Sequence, residues 1–369
     1  MKTDISFIGG RGVLSNYGGV ENAIREITFE LTKRNLKIDV YGVSDMDIEG
    51  KRLPVNLNAV AIPKWIYKKF GQHGYILFCV LTVISIKRPR VVILFASGPS
   101  IFTPLLRLGG IKVITSLRAI DSSRDKWGKI SRTILKLGEY CAWKFSNRFT
   151  VNSQEMVRVF KPKRHDVVYV PNGSKKAVLN DPEMLHRWGV ESGNYFLFAA
   201  RFDPVKRLHK LLEAHALLDD KTRIPLVVAG GHSKDPEYEK KIKTLANSKV
   251  RFTGHLSQDE LEPLMYHCRA FILPSVLEGM SNSLLSAMAS EKAVVAADVP
   301  ENRDVIVGEL DALFIADDVD DLAAKLEKLA TDSDYCQDLG KRLRNVAITH
   351  YDWGNTANLF YRQAEPYLN

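Results

Sequence analysis

Short, unbroken runs of Val, Ile, Leu, Phe and Ala recur along this chain, each followed by a segment of helical period, and no other feature constrains its fold as much. Strands are predicted at Ile5–Gly10, Ile38–Gly42, Ala59–Ile62, Val91–Ala96, Val113–Leu117, Phe149–Val151 and Val167–Val170 in the first half. The second half offers Phe196–Ala200, Leu226–Gly230, Val250–Thr253, Phe271–Pro274, Val294–Ala297 and Ala312–Ile315. Continuous apolar runs, rather than strict alternation, mark strands covered on both faces. Strands separated by helix-length segments are the signature of parallel βαβ units, so the class is α/β.

At 369 residues the chain exceeds the ~250–300 at which a single core stops growing, so two domains are expected. The boundary is placed between Asn172 and Ser192. There Pro171-Asn172-Gly173-Ser174-Lys175-Lys176 combines turn residues with charge, and a fresh βαβ series begins near Leu197. The tail has a helical period (Leu339, Leu343, Val346), then Tyr351-Asp352-Trp353 and a last helix to about Tyr367.

Four scattered cysteines without a C-x-x-C pair argue against a disulfide framework or a zinc site and fit a reducing cytoplasm. The nine histidines show no H-E-x-x-H spacing. A strand starts almost at once, so no signal peptide is visible. The longest apolar run, Tyr75 to Ile86, is 12 residues, against the ~20 a membrane span needs, and is read as a buried helix of an α/β domain.

Charge is shared unevenly. Residues 1–185 carry 30 Lys and Arg against 15 Asp and Glu, whereas residues 186–369 carry 22 against 28. Only the first half is expected to meet an anionic partner. Lys64, Trp65, Tyr67, Lys68, Lys69, Lys87, Arg88 and Arg90, interleaved with apolar residues, fit an anionic membrane surface. The alternative is a solvated basic face. No nucleic-acid motif accompanies the charge, so no nucleic acid is expected.

Three segments carry groups suited to chemistry. After the first strand, Gly9-Gly10-Arg11-Gly12 and Tyr17-Gly18-Gly19-Val20-Glu21 precede a helix expected from about Glu21 to Arg34. Glycines let backbone N–H groups approach a ligand, and a helix N-terminus favours an anion, although a plain tight turn fits equally. Ser15 stands where G-x-G-x-x-G would need its third glycine. In the second segment, Phe198 to Arg207, Arg201 falls at the carboxyl end of a strand and Lys206 at the start of the next helix. Ligands of open α/β sheets sit outside such ends, and a guanidinium fork with an ammonium suits a diphosphate. Otherwise the two are solvated cations. The third, Ser275 to Ala289, places Glu278 ahead of Gly279, Met280 and Ser281, whose N–H groups open a helix. Leu284, Leu285 and Met288 form its buried side, and Asn282 and Ser286 share the other; an ordinary polar cap is the plainer reading.

Taken with Val170-Pro171-Asn172-Gly173, Gly230-Gly231, Phe252-Thr253-Gly254, Leu273-Pro274-Ser275 and Tyr351-Asp352-Trp353, these segments resemble the retaining glycosyltransferases of family 4, the GT-B group that builds bacterial glycans. Asp125-Lys126-Trp127-Gly128 and the Gly-Gly-Val-Glu loop are similar to its rhamnosyltransferase-like subgroup. The resemblance implies two Rossmann-like βαβ domains facing a cleft: residues 1–175 for the acceptor, 190–350 for a nucleotide-diphosphate sugar donor, and a helix over 351–369 crossing back to the first domain. Arg201 and Lys206 would hold the diphosphate and stabilise its departure. Glu278 would stand near the donor sugar, with Gly18, Gly19, Gly279, Met280, Ser281, Asn282 and Ser286 on the donor side and Glu21 and Arg118 on the acceptor side. No metal or other cofactor would be required. The implied reaction moves a hexose or deoxyhexose onto a surface glycan held on a lipid carrier, at the inner face of the plasma membrane.

Two positions depart from the family pattern. The second Glu, eight residues after the first, is Ser286, too short to grip ribose hydroxyls as a carboxylate does. That suits a dTDP-sugar lacking the 2′-hydroxyl. A family His near the donor sugar is Arg118, which cannot act as a base, so that role passes to Asp121. The alternatives are a weakened enzyme that binds nucleotide sugar without efficient transfer and a sugar-nucleotide epimerase.

Overall fold

The computed structural model describes residues 3–15, 18–44, 52–123, 128–177, 182–231 and 235–368. The chain divides into two compact units, Met1–Gly173 with Trp353–Asn369, and Ser174–Asp352. The first holds β1 (Ile5–Ile8), β2 (Ile38–Val43), β3 (Leu57–Ile62), β4 (Val91–Phe95), β5 (Lys112–Leu117), β6 (Arg148–Val151) and β7 (Val167–Tyr169). The second holds β8 (Phe196–Ala199), β9 (Leu226–Ala229), β10 (Val250–Gly254), β11 (Ala270–Leu273), β12 (Ala293–Ala297) and β13 (Leu313–Phe314). Every run predicted as a strand is one. The ends differ where the backbone turns out of the extended region, as at Gly9 (φ 139°), Ala96 (φ 73°) and Gly230 (φ 147°).

Both sheets are parallel throughout. Their orders are β3-β2-β1-β4-β5-β6-β7 and β10-β9-β8-β11-β12-β13. Each is the doubly wound order in which direction reverses beside the first strand, leaving a crevice at the carboxyl ends of β1 and β4, and of β8 and β11. Register brings Ile5 opposite Ile38 and Val91, and Ala270 opposite Phe196 and Ala293. These strands are fully buried, which explains why their sequences read as unbroken apolar runs.

The last helix, Trp353–Ala364, belongs to the first unit. Its Trp353, Ala357, Phe360 and Ala364 join the cluster formed by Ile5, Phe7, Ile24, Ile27 and Phe95. A Cβ on Gly173 would lie 2.4 Å from Trp353, so glycine there admits the indole. Thr356 Oγ1 donates to the Pro171 carbonyl at 3.0 Å. In the second unit, Ser174 N and Oγ donate to the Tyr351 carbonyl at 2.8 and 2.6 Å. The Val170–Gly173 and Tyr351–Trp353 motifs thus meet where the chain passes between units.

The apolar run at Tyr75–Ile86 is not a buried helix. It belongs to a longer helical segment, Lys64–Lys87, kinked at Gly71 and closing in a π-turn at Val83–Lys87. Ile66, Tyr75, Ile76, Cys79, Val80 and Val83 pack on the sheet, whereas Trp65, Phe70, Leu77, Phe78, Leu81 and Ile86 are exposed. A run apolar on every side gives no clue from its period as to which stripe the sheet covers. The segment is long and apolar enough to cross a membrane, but one stripe of it is committed to the core.

Candidate functional site

In the second unit the loops after β8 and β11 are laced together at the reversal of strand order. Asp203 Oδ1 caps the turn Pro204–Lys206 by accepting the Val205 N–H at 3.3 Å. The Val205 carbonyl in turn accepts the Val276 N–H at 3.0 Å. Asn302, buried beneath, donates to the Ala297 carbonyl at 2.9 Å and to that of Ser275 at 3.4 Å. A Cβ on Gly230 would lie 1.9 Å from the Ala200 carbonyl oxygen, so the glycine lets the β8 and β9 ends close up.

That frame sets two cations differently. Arg201 is exposed, and no ion pair or side-chain hydrogen bond engages it among the described residues. Lys206 instead pairs with Glu278, the two side chains 18% and 9% exposed. Of the two cations assigned to a diphosphate, Arg201 is exposed and Lys206 is engaged by a carboxylate. An anion reaching Lys206 has to compete with Glu278.

Beyond Glu278, Gly279 and Met280 are buried and Ser281 caps the helix Asn282–Ala289, its Oγ accepting the Leu284 N–H at 3.3 Å. Leu284, Leu285 and Met288 are buried, while Asn282 and Ser286 are half-buried on the other side, as their spacing requires. Glu291 lies past the helix, bound to Arg344 at 2.9 Å, and does not take the place of the missing second Glu. Ser275 Oγ is fully buried without a hydrogen-bond partner among the described residues.

In the first unit, glycines of the β1 loop serve close packing. A Cβ on Gly9 would lie 2.4 Å from the Phe95 carbonyl oxygen, and one on Gly42 would lie 2.6 Å from Gly12 Cα. Gly18 is the N-cap of the helix Gly19–Thr32, and Glu21 is buried in its first turn, accepting the Arg11 N–H at 3.2 Å. Glu21 thereby ties the loop to the helix. Tyr17 and Asp125-Lys126-Trp127 lie outside the described residues.

Arg118 and Asp121 follow β5. Arg118 is 8% exposed, donates to Ser116 Oγ, the Val170 carbonyl and Asn172 Oδ1, and lies 5.1 Å from the Phe95 ring centroid. Burial pulls its guanidinium down to about 9, against an opposing effect of Tyr169. Asp121 opens the short turn Asp121–Ser123. That turn is held by a residue sequence reasoning missed: Glu139 accepts the Ser122 N–H at 3.0 Å, Ser122 Oγ at 2.8 Å and Ser97 Oγ at 3.3 Å. Burial pushes the Glu139 carboxyl upward, the Ser122 and Ser97 bonds oppose this, and the Asp121 charge adds to it. The signal was available, since Glu139 shares the buried face of the helix Lys129–Phe145 with Leu135 and Ala142.

The cations, the carboxylate and the helix start of the second unit fall within a recognisable sequence family. Residues 181–346 match the family described as glycosyl transferases group 1. The chain carries a group 1 glycosyltransferase domain. It is similar to the serotype-specific mannosyltransferase WbdA of Escherichia coli, 32% identical over 173 residues, 45% of this chain and 21% of that protein. The match therefore spans about a fifth of that relative's length. The O-antigen chain mannosyltransferase C of Escherichia coli is 24% identical over 293 residues, 77% of this chain and 76% of that protein. Among solved structures, Anabaena HepE in complex with UDP-glucose superposes with a TM-score of 0.80 at 16% identity, covering 99% of this chain and 100% of that one. At that identity the likeness shows the fold, which is GT-B. Arg201, Lys206, Glu278 and the Ser281 cap all lie inside the glycosyltransferase domain, whereas Glu21, Arg118, Asp121 and Glu139 lie outside it.

Proposed function

We propose that this chain transfers a hexose or deoxyhexose from a nucleotide-diphosphate sugar to a growing, lipid-linked surface glycan, with retention at the anomeric carbon, in the manner of the family 4, rhamnosyltransferase-like enzymes. One observation carries the reading: Lys206 pairs with Glu278 across the laced loops that follow β8 and β11, with Arg201 exposed in the first of those loops, inside the group 1 match. Departure of a nucleoside diphosphate builds negative charge on its outer phosphate. Fixed cations at that point stabilise the transition state more than the ground state. Arg201 supplies a guanidinium already open to solvent, and Lys206 supplies an ammonium once the incoming phosphate displaces Glu278. Glu278, released, is then placed to face the donor sugar, and Asp121 takes the role of acidic group on the acceptor side.

The mannosyltransferase relatives make mannose the first sugar to test, and Ser286 makes the nucleotide an open comparison between GDP, dTDP and UDP. Thermal unfolding with GDP, dTDP, UDP and ADP, in the wild type and Arg201→Ala, tests the donor site directly. A ligand of the native state at ~100 times its Kd adds ~2.7 kcal/mol, a rise of a few degrees. A rise with one nucleotide that Arg201→Ala abolishes supports the reading. No rise with any of them overturns it.

The acceptor's carrier gives the first unit its partner, an anionic membrane on the cytoplasmic side. The reading is supported by the exposed stripe Trp65, Phe70, Leu77, Phe78, Leu81 and Ile86, flanked by exposed Lys68, Lys69, Lys87, Arg88 and Arg90. Apolar side chains enter the headgroup boundary while basic ones meet anionic lipid. Sedimentation with phosphatidylglycerol vesicles at low salt, but not with phosphatidylcholine vesicles, is the expected result. Failure to sediment with either removes the membrane from the proposal.

A further inference from the structure

Arg118 is a buried cation held by neutral groups alone. Among the described residues its three hydrogen bonds go to a hydroxyl, a backbone carbonyl and an amide oxygen, and an aromatic face covers it. Other buried charges of the first unit also meet neutral groups, Glu139 accepting three bonds and Asp39 accepting from Thr3 and Asn58, but Arg118 is the cation among them and keeps unused donors. No carboxylate bonds Arg118 among the described residues, and Tyr169 alone contributes a charge effect to it. A charge taken out of water without a counter-charge is costly; hydrogen bonds offset part of that cost, and an opposite charge with good geometry offsets more.

The position supplies the rest. Arg118 directly follows β5, whose neighbours are β4 and β6, so the guanidinium stands at the carboxyl edge of the sheet, where ligands of such folds bind. A guanidinium has five N–H donors, and three bonds are accounted for. The Nε–H and one Nη2–H, on adjacent nitrogens, are left without an acceptor among the described residues. Adjacent N–H groups form a fork suited to two oxygens of one phosphate or carboxylate.

We propose that Arg118 anchors a substrate oxyanion, phosphate or carboxylate, at the carboxyl end of β5 in the first unit. Ser116, Val170 and Asn172 hold the guanidinium in place, and the anion completes its charge balance on arrival. The inference rests on the first unit alone, so it stands or falls separately from the donor site around Arg201.

The test measures thermal midpoints at low ionic strength for the wild type, Arg118→Met, Arg118→Lys and Arg201→Ala. Inorganic phosphate, pyrophosphate and glucuronate are the probes, with glucose as the neutral control. The expected result is a rise of a few degrees with an oxyanion probe in the wild type and in Arg201→Ala, absent in Arg118→Met. Without probe, Arg118→Met melts at or above the wild type, because a buried unpaired charge has been replaced by an apolar chain of similar length. Should that variant fail to fold, Arg118→Lys keeps the charge without the fork and is expected to lose most of the rise. A response to the phosphates alone assigns a phosphate-bearing substrate, and a response to glucuronate assigns an acidic sugar. A rise that survives in both Arg118 variants, a rise that vanishes in Arg201→Ala, or no rise with any oxyanion overturns the proposal.

Discussion

Glu278→Gln separates the two jobs that the Lys206–Glu278 pair performs. In the wild type the ammonium is neutralised within the protein, with only 18% of the Lys206 side chain and 9% of the Glu278 side chain exposed. A diphosphate must break that contact to use Lys206. A hydrogen bond to a charged group contributes ~1.5–3 kcal/mol net, and a neutral one ~0.5–1.5. Glutamine keeps the shape and the hydrogen bond but not the charge, so the contact to be displaced weakens by ~1–2 kcal/mol. Free nucleoside diphosphate should therefore bind about 5–30-fold more tightly to Glu278→Gln than to the wild type. Turnover should fall in the same variant, because the carboxylate proposed to face the donor sugar is gone. Titration calorimetry with the nucleotide found by the thermal screen measures the first effect, and sugar release from the donor measures the second. The tighter binding should shrink at high salt, since it arises between charges. An unchanged or weaker Kd in a folded Glu278→Gln protein would show that Lys206 and the diphosphate never meet.

Arg201→Ala should leave the stability within ~0.5 kcal/mol of the wild type, because the side chain is exposed and unpaired among the described residues, while turnover drops by ~10²-fold or more; equal loss of both would make Arg201 structural. Glu139→Gln tests the buried carboxyl. Burial raises its value in the folded state, so its protonated form contributes stability below the ordinary carboxylate range, and that contribution is lost as pH rises through the raised value. The stability difference, variant minus wild type, should therefore grow from about pH 4 to pH 7, and a flat difference would refute the assignment. Gly173→Ala places a methyl 2.4 Å from Trp353 and should cost about 1–3 kcal/mol, with a red shift of Trp fluorescence as the last helix loosens; an unshifted spectrum and midpoint would argue against that packing role. Turnover should persist in excess chelator, since Arg201 and Lys206 carry the charge assigned to the leaving group, and abolition by chelator restored with a divalent cation would contradict that assignment.

The strands were legible because burial on both faces leaves an unbroken apolar record. Their ends were less so. Gly9, Ala96 and Gly230 continue the apolar composition while their positive φ takes the chain out of the sheet. The segment Lys64–Lys87 misled for the opposite reason. Its residues are apolar on all sides, and only packing reveals that Tyr75, Ile76, Cys79 and Val80 face the sheet while Leu77, Phe78 and Leu81 do not. The closing motif was visible as a string, but its purpose was not. Gly173 and Trp353 are 180 positions apart, and only the fold shows that one exists to admit the other.

The same distinction separates the two candidate sites. In the second unit the informative groups sit in two short segments directly after strands, and position at a strand end is something a sequence displays. What it could not display was their pairing, because Lys206 and Glu278 are 72 residues apart. In the first unit nearly everything depends on such distant partners: Arg118 on Asn172, 54 residues on, and Ser122 on Glu139, 17 residues on. A sequence therefore shows where charges are, and the fold shows which of them have been neutralised. Lys206 has been, by Glu278; Arg118, among the described residues, has not. That difference in charge balance among the described residues, rather than residue type, is what assigns Lys206 a displaceable partner and Arg118 a substrate oxyanion in the proposals above.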